Sequence, residues 1–136
     1  MPWIVDTCLL LDIALPNPAF VEAAAHLLSS KRSDGLVICP VTYIELGPFF
    51  KGRTSDAHQF LAGAGVIWTE PWTDADTAQA FVGWSDYVAR RKLQKFPRRP
   101  LADALIGAFA FRFDGLLTRN PSDFRRVFPN LTIIEP

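Results

Sequence analysis

Four carboxylates in this chain stand where a merely solvated acid has little reason to be. Asp6 directly follows the β-branched run "WIV" at residues 3–5. Glu45, in "VTYIELGPFF", shares a helical stripe with Val41 and Phe49 at i−4 and i+4. Asp103 is set into "RPLADALIGAFAFRF" (99–113), where helical geometry makes Ile106, Gly107 and Ala110 its neighbours. Asp123 lies three residues after Asn120 with Pro121 between, the place of an N3 acid in a capped helix. Ordinary roles exist for each, an N-cap for Asp6 among them. For Asp103 the ordinary role is weak. The helix dipole favours an anion in the first turn by about 0.3–1 kcal/mol, against several kcal/mol to desolvate an unpaired charge. A cation such as Arg98 or Arg99 is one partner open to it.

A second partner is open if the acids converge. Two carboxylates about 4 Å apart repel by roughly 4 kcal/mol at an effective dielectric of 20. Convergence therefore requires a proton or a cation. All-oxygen ligands without supporting His or Cys suit a hard ion, Mg²⁺ or Mn²⁺, rather than zinc.

The elements that would position these acids alternate between short strands and helices. Strands are expected at 3–5, 36–39, 66–68, 115–118 and 131–134. Helices are expected at 17–32 (Asn17 as N-cap, Pro18 at the first position), from Pro40 to about Phe50, and at 55–62. "TDADTAQAFVGWSDYVARRKLQ" reads as a long helix, with Thr73 and Asp76 at capping-box spacing and Pro97 as its stop. Pro100 opens a helix to about Phe113, and "NPSDFRRVF" is a short one. Strands separated by helices pair in parallel through crossovers, so the expected fold is a three-layer α/β/α sandwich with a mostly parallel sheet. One domain, 1–136, accounts for the length. Ligands of such sheets collect at the carboxyl ends of the strands. Asp6 and the turn from Thr118 to Asp123 follow strands at that edge. Glu45 and Asp103 lie in helices that could lean over it.

The chain's 136 residues carry 14 basic and 14 acidic side chains, 49% hydrophobic residues and no low-complexity tract. The first 89 residues hold four Lys/Arg and ten Asp/Glu; the rest hold ten and four. The basic excess clusters in "RRKLQKFPRR" (90–99) and recurs at Arg112, Arg119, Arg125 and Arg126. It reads as a solvated helix face or as a polyanion-binding patch. No apolar run approaches the roughly 18 residues of a membrane span, and Asp6 and Asp12 interrupt the apolar start, which reads as folded protein rather than a leader. Cys8 and Cys39, without metal-site spacing, read as reduced core thiols of a cytoplasmic protein.

The chain resembles the PIN-domain ribonucleases, and within them the VapC-like toxins of toxin–antitoxin pairs. "IVDTCLLLD" looks like that family's opening strand and aspartate, "VTYIELG" its Glu-bearing helix, "LADALIGAFA" its third acid, and "LLTRNPSDF" its closing strand, Thr-x-Asn turn and acid. The resemblance covers nearly the whole length and lies in the order and spacing of these motifs. It implies metal-ligating or metal-orienting, catalytic roles for Asp6, Glu45, Asp103 and Asp123, with supporting hydrogen bonds from Thr7, Thr118 and Asn120. Some members are acidic at the Asn120 position; Asn there leaves Asp123 to bind through a water, or leaves three carboxylates. It further implies a Mg²⁺- or Mn²⁺-dependent endoribonuclease that cleaves single-stranded RNA, a homodimer, and a small antitoxin that covers the groove. Arg98, Arg99 and Arg119 would hold the RNA backbone. Trp68, Trp72, Trp84, Phe96 and Phe124 are read chiefly as core, with base stacking as the alternative. The helix at 17–32 and "PFFKG" (48–52) offer apolar surface for the protein contacts.

Three rival readings remain in play. A haloacid-dehalogenase-type phosphotransferase would need an Asp where Cys8 stands. A catalytically inactive PIN-like module would bind nucleic acid or a partner without cleaving. A repressor would bind nucleic acid without any need for metal.

Overall fold

The computed structural model describes residues 1–94 and 101–136. Five short strands form its centre: β1 (Trp3–Val5), β2 (Leu36–Val37), β3 (Val66–Ile67), β4 (Gly115–Leu117) and β5 (Ile133–Ile134). Their order across the sheet is β3-β2-β1-β4-β5, and every pair is parallel. The helices are α1 (Thr7–Ala14), α2 (Val21–Lys31), α3 (Pro40–Glu45), α4 (Thr54–Gly63), α5 (Asp74–Gln94), α6 (Leu101–Ala110) and α7 (Pro121–Val127). Among the described residues, no helix is long and apolar enough to cross a membrane.

The period-two geometry of a strand explains why the sheet is covered on both sides. Trp3, Val5, Leu36, Ile38, Val66 and Leu117 point into one core, shared with α1, α2 and α4. Ile4, Val37, Cys39 and Leu116 point into the other, shared with α5, α6 and α7. Each fully buried Leu or Ile contributes roughly 1.5–3 kcal/mol of transfer free energy. Polar alternation is thus absent from the central strands, and the polar groups gather where the strands end.

Three helices are shorter than their sequence patterns suggest. Asn17 Oδ1 accepts from the Ala19 N–H at 3.1 Å, and the Asn17 carbonyl accepts from Phe20 and Val21, so a turn precedes the helix that starts at Val21. After Glu45, α3 gives way to turns through Gly52. Beyond Ala110, the bonds from Phe111, Arg112 and Phe113 reach back three residues, tightening and ending α6. The capping box of α5 forms as read: Thr73 N–H donates to Asp76 Oδ2 at 2.9 Å, and Asp76 N–H to Thr73 Oγ1 at 3.3 Å. The positions assigned to the stop at Pro97 and the start at Pro100 lie outside the described residues.

α5 and α6 approach closely because two glycines face one ring. A Cβ at Gly83 would overlap the Phe128 ring, and one at Gly107 would come within 2.8 Å of it. This contact sets the layer that carries Asp103. Gly83→Ala is therefore expected to destabilise the chain by about 1–3 kcal/mol in urea unfolding. Gly63→Ala, where a Cβ meets open space at a helix end, should be neutral or stabilise by up to about 1 kcal/mol. Equal effects at the two positions would contradict this account of the packing.

Candidate metal centre

The site is built first on the end of β1. The Asp6 N–H continues the parallel ladder by donating to the Leu117 carbonyl at 2.9 Å, which fixes the residue at the sheet's carboxyl edge. Its side chain then caps α1, with Oδ1 accepting from the Thr7 N–H at 2.8 Å. Oδ2 accepts from the Thr118 hydroxyl at 2.7 Å and from the Cys8 thiol at 3.2 Å. Asp6 is only 6% exposed. Burial pushes its pKa up against these hydrogen bonds, and the Glu45 charge pushes the same way.

Glu45 closes α3 and is held by the Thr7 hydroxyl, which donates to Oε1 at 2.6 Å and stands 3.2 Å from the Thr42 hydroxyl. Thr118 is fully buried at the end of β4; its oxygen accepts from the Asn120 N–H at 3.0 Å while its proton serves Asp6. Asn120 takes part through its backbone: it stands at the N-cap of α7, yet its side chain makes no capping bond. Asp123, in the first turn of α7, is half-buried and 3.6 Å from the Arg126 guanidinium.

Asp103 differs from the others. It sits half-buried in the first turn of α6, and among the described residues no side chain donates to it. Burial raises its pKa to about 7, and the charges of Asp6, Asp123 and Glu45 add to the shift. The four acids separated along the chain thus share one electrostatic neighbourhood.

Among the described residues, no group of three or more His, Cys, Asp or Glu side chains is arranged to hold a metal ion by itself. The donor set fits a different kind of site. Mg²⁺ is commonly held by one or two carboxylates and keeps several waters. Here the oxygens are hard, and the half-buried Asp103 has no side-chain donor among the described residues. Neighbouring carboxylates are fixed by hydroxyl groups that leave lone pairs unused.

The structure changes the reading of several other residues. Cys8 is not only a core thiol: it touches Asp6, and burial together with that charge pushes its pKa to about 12. Its place one residue past Thr7 was the available signal. Arg119, read as a backbone-binding cation, has a structural partner: its guanidinium forks onto Asp12 at 2.9 and 3.1 Å. Arg112 likewise forks onto Asp76, at 2.7 and 3.0 Å. Arg98, Arg99 and Phe96 lie outside the described residues. Phe124 is buried, Trp68 stacks on His58, and Trp72 and Trp84 pack half-buried against the second core.

The expected surplus apolar surface is present in part, at the exposed Phe20 and Phe49, and more of it lies elsewhere. Phe50 is buried and Phe20 is covered on one face by Arg119, 3.9 Å from its centroid. The open apolar groove, about 510 Å³, runs between α3, α5 and α6 and is lined by Ile44, Trp72, Phe81, Trp84, Leu101 and Leu105. Ile44 and Phe81 there are 70% and 77% exposed.

No family model and no curated protein matches the chain. A solved structure does. The crystal structure of VapBC2 from Rickettsia felis, bound to a DNA fragment from its promoter, superposes with a TM-score of 0.67. The match covers 99% of this chain and 98% of the other at 17% sequence identity. The fold is PIN-like. Strand order and the helices on either face are described together by that one architecture.

The raised pKa of Asp103 sets a pH dependence. A carboxyl whose folded pKa lies above its unfolded value of 3.8 adds no penalty below pH 4 and costs stability as it ionises toward pH 7. In EDTA, Asp103→Asn should therefore raise stability at pH 8, by about 1–2 kcal/mol after solvent screening. The gain should vanish near pH 4. A gain independent of pH would mean that Asp103 is not under charge stress.

Proposed function

We propose that the chain is a Mg²⁺- or Mn²⁺-dependent endoribonuclease that cleaves single-stranded RNA and acts as the toxin of a toxin–antitoxin pair. The observation that carries this reading is the half-buried Asp103 in the field of Asp6, Glu45 and Asp123, with no side-chain donor among the described residues. The PIN-like architecture shared with the Rickettsia felis VapBC2 structure supports it.

In this reading Asp6 and Asp103 would hold the cation, with Glu45 and Asp123 at its rim. The bound ion supplies Lewis acidity toward a phosphodiester and lowers the pKa of water. The chain's own residues do the rest. Thr118 and Cys8 hold Asp6 Oδ2 in a fixed direction, and Thr7 does the same for Glu45. Fixed carboxylates need little reorganisation as charge develops on the substrate. Asp103, whose raised pKa leaves it partly protonated near neutral pH, would give up that proton on binding a cation. The exposed Arg125 and Arg126 stand on the same α7 as Asp123, where they would hold an anionic backbone.

The apolar groove between α3, α5 and α6 borders the same acids, since Ile44 precedes Glu45 and Leu101 lies two residues before Asp103. We place the contacts to a second copy and to a small antitoxin on this side. A cytoplasmic setting suits such a pair and the two free thiols.

Millimolar Mn²⁺ should raise the melting temperature by several degrees. Asp6→Asn and Asp103→Asn should stay folded, lose that response and lower cleavage of single-stranded RNA by about 10³-fold. RNA binding that persists in EDTA with no cleavage under any metal would instead favour the inactive binding module.

A further inference from the structure

The bidentate pair between Asp12 and Arg119 lies outside the acid cluster, yet it sits in a telling place. Asp12 is 4% exposed, and both its oxygens are met by one planar guanidinium. Arg119 is flanked in the chain by Thr118, whose hydroxyl donates to Asp6, and by Asn120, whose N–H donates to that same hydroxyl. Asp6 caps the start of α1, while Asp12 lies six residues on, about 9 Å along the helix axis. The turn after β4 is thus pinned to α1 at two separated points. The Thr118 backbone is held separately by its N–H donating to the Ile134 carbonyl at 3.2 Å, so the fork adds a fixed point on the far side of the hydroxyl. The Phe20 ring, 3.9 Å from the Arg119 guanidinium, holds the fork from a third side.

We infer that Asp12 and Arg119 are positioning residues that aim the Thr118 hydroxyl at Asp6 and so set the affinity of the carboxylate cluster for a divalent cation. A buried ion pair is a poor source of stability, because desolvation offsets most of the attraction. Its worth lies in geometry. The fork matters as much as the charge, since an ammonium cannot meet both oxygens in one plane. The inference rests on the metal-binding reading above for its consequence, though not for the geometry it describes.

The test uses the full chain and two variants, Arg119→Lys and the apolar replacement Asp12→Leu/Arg119→Met, which avoids stranding a buried charge. Three quantities are measured: the melting temperature in EDTA, the Mn²⁺ affinity by electron paramagnetic resonance, and the hydrogen-exchange rate of the Asn120 amide. Expected are near-native melting of the double variant, a 10- to 100-fold weaker Mn²⁺ affinity in both variants, and at least a tenfold faster Asn120 exchange. Unchanged affinity and unchanged exchange in a folded variant would overturn the inference and leave the pair purely structural. If the native chain binds no Mn²⁺, the metal reading falls. Asn120 exchange alone then decides the positioning role, and an unaltered rate in the double variant refutes it.

Discussion

Like charges do not gather in a folded protein unless something holds them, and the rest of this structure depends on that constraint. The parallel sheet carries β1 and β4 to the same edge, so Asp6 and the turn from Thr118 to Asp123 arrive together. α3 and α6 bring Glu45 and Asp103 into the same electrostatic neighbourhood. Burial and mutual repulsion then raise the pKa of Asp103 to about 7. Apolar packing on both faces of the sheet supplies the free energy that keeps the acids in place.

Two hydroxyls and a thiol turn this repulsive cluster into a defined geometry. Thr118 and Cys8 both donate to one oxygen of Asp6, and Thr7 donates to Glu45. These donors stabilise the charged forms of their own partners but do nothing for Asp103. The stress is therefore concentrated on one side chain. In the proposed metal-binding reading, a hydrated hard cation would relieve it.

Much of the fold was legible because strand and helix periods are local properties. All five strands lie within their expected runs, and the Thr73–Asp76 box closes as its spacing implies. The acids were legible by a different signal, a charge without polar neighbours, as at Asp103. Ends of elements were harder to read. Asn17 folds into a side-chain turn and delays α2, and α6 tightens before Phe113 under contacts that no local pattern encodes. Partners distant in the chain were hidden for the same reason. Arg119 and Asp12 lie 107 residues apart, and nothing in either segment announces the other. Cys8 is the free, core-packed thiol its apolar flanks suggest, but those flanks hide that helix α1 turns it toward Asp6.

The most direct measurement is anomalous scattering from a crystal soaked in Mn²⁺. This account places a peak at direct coordination distance, about 2 Å, from carboxylate oxygens of Asp6 and Asp103. A peak elsewhere, or none at saturating Mn²⁺ with the four acids still grouped at the sheet edge, would contradict it.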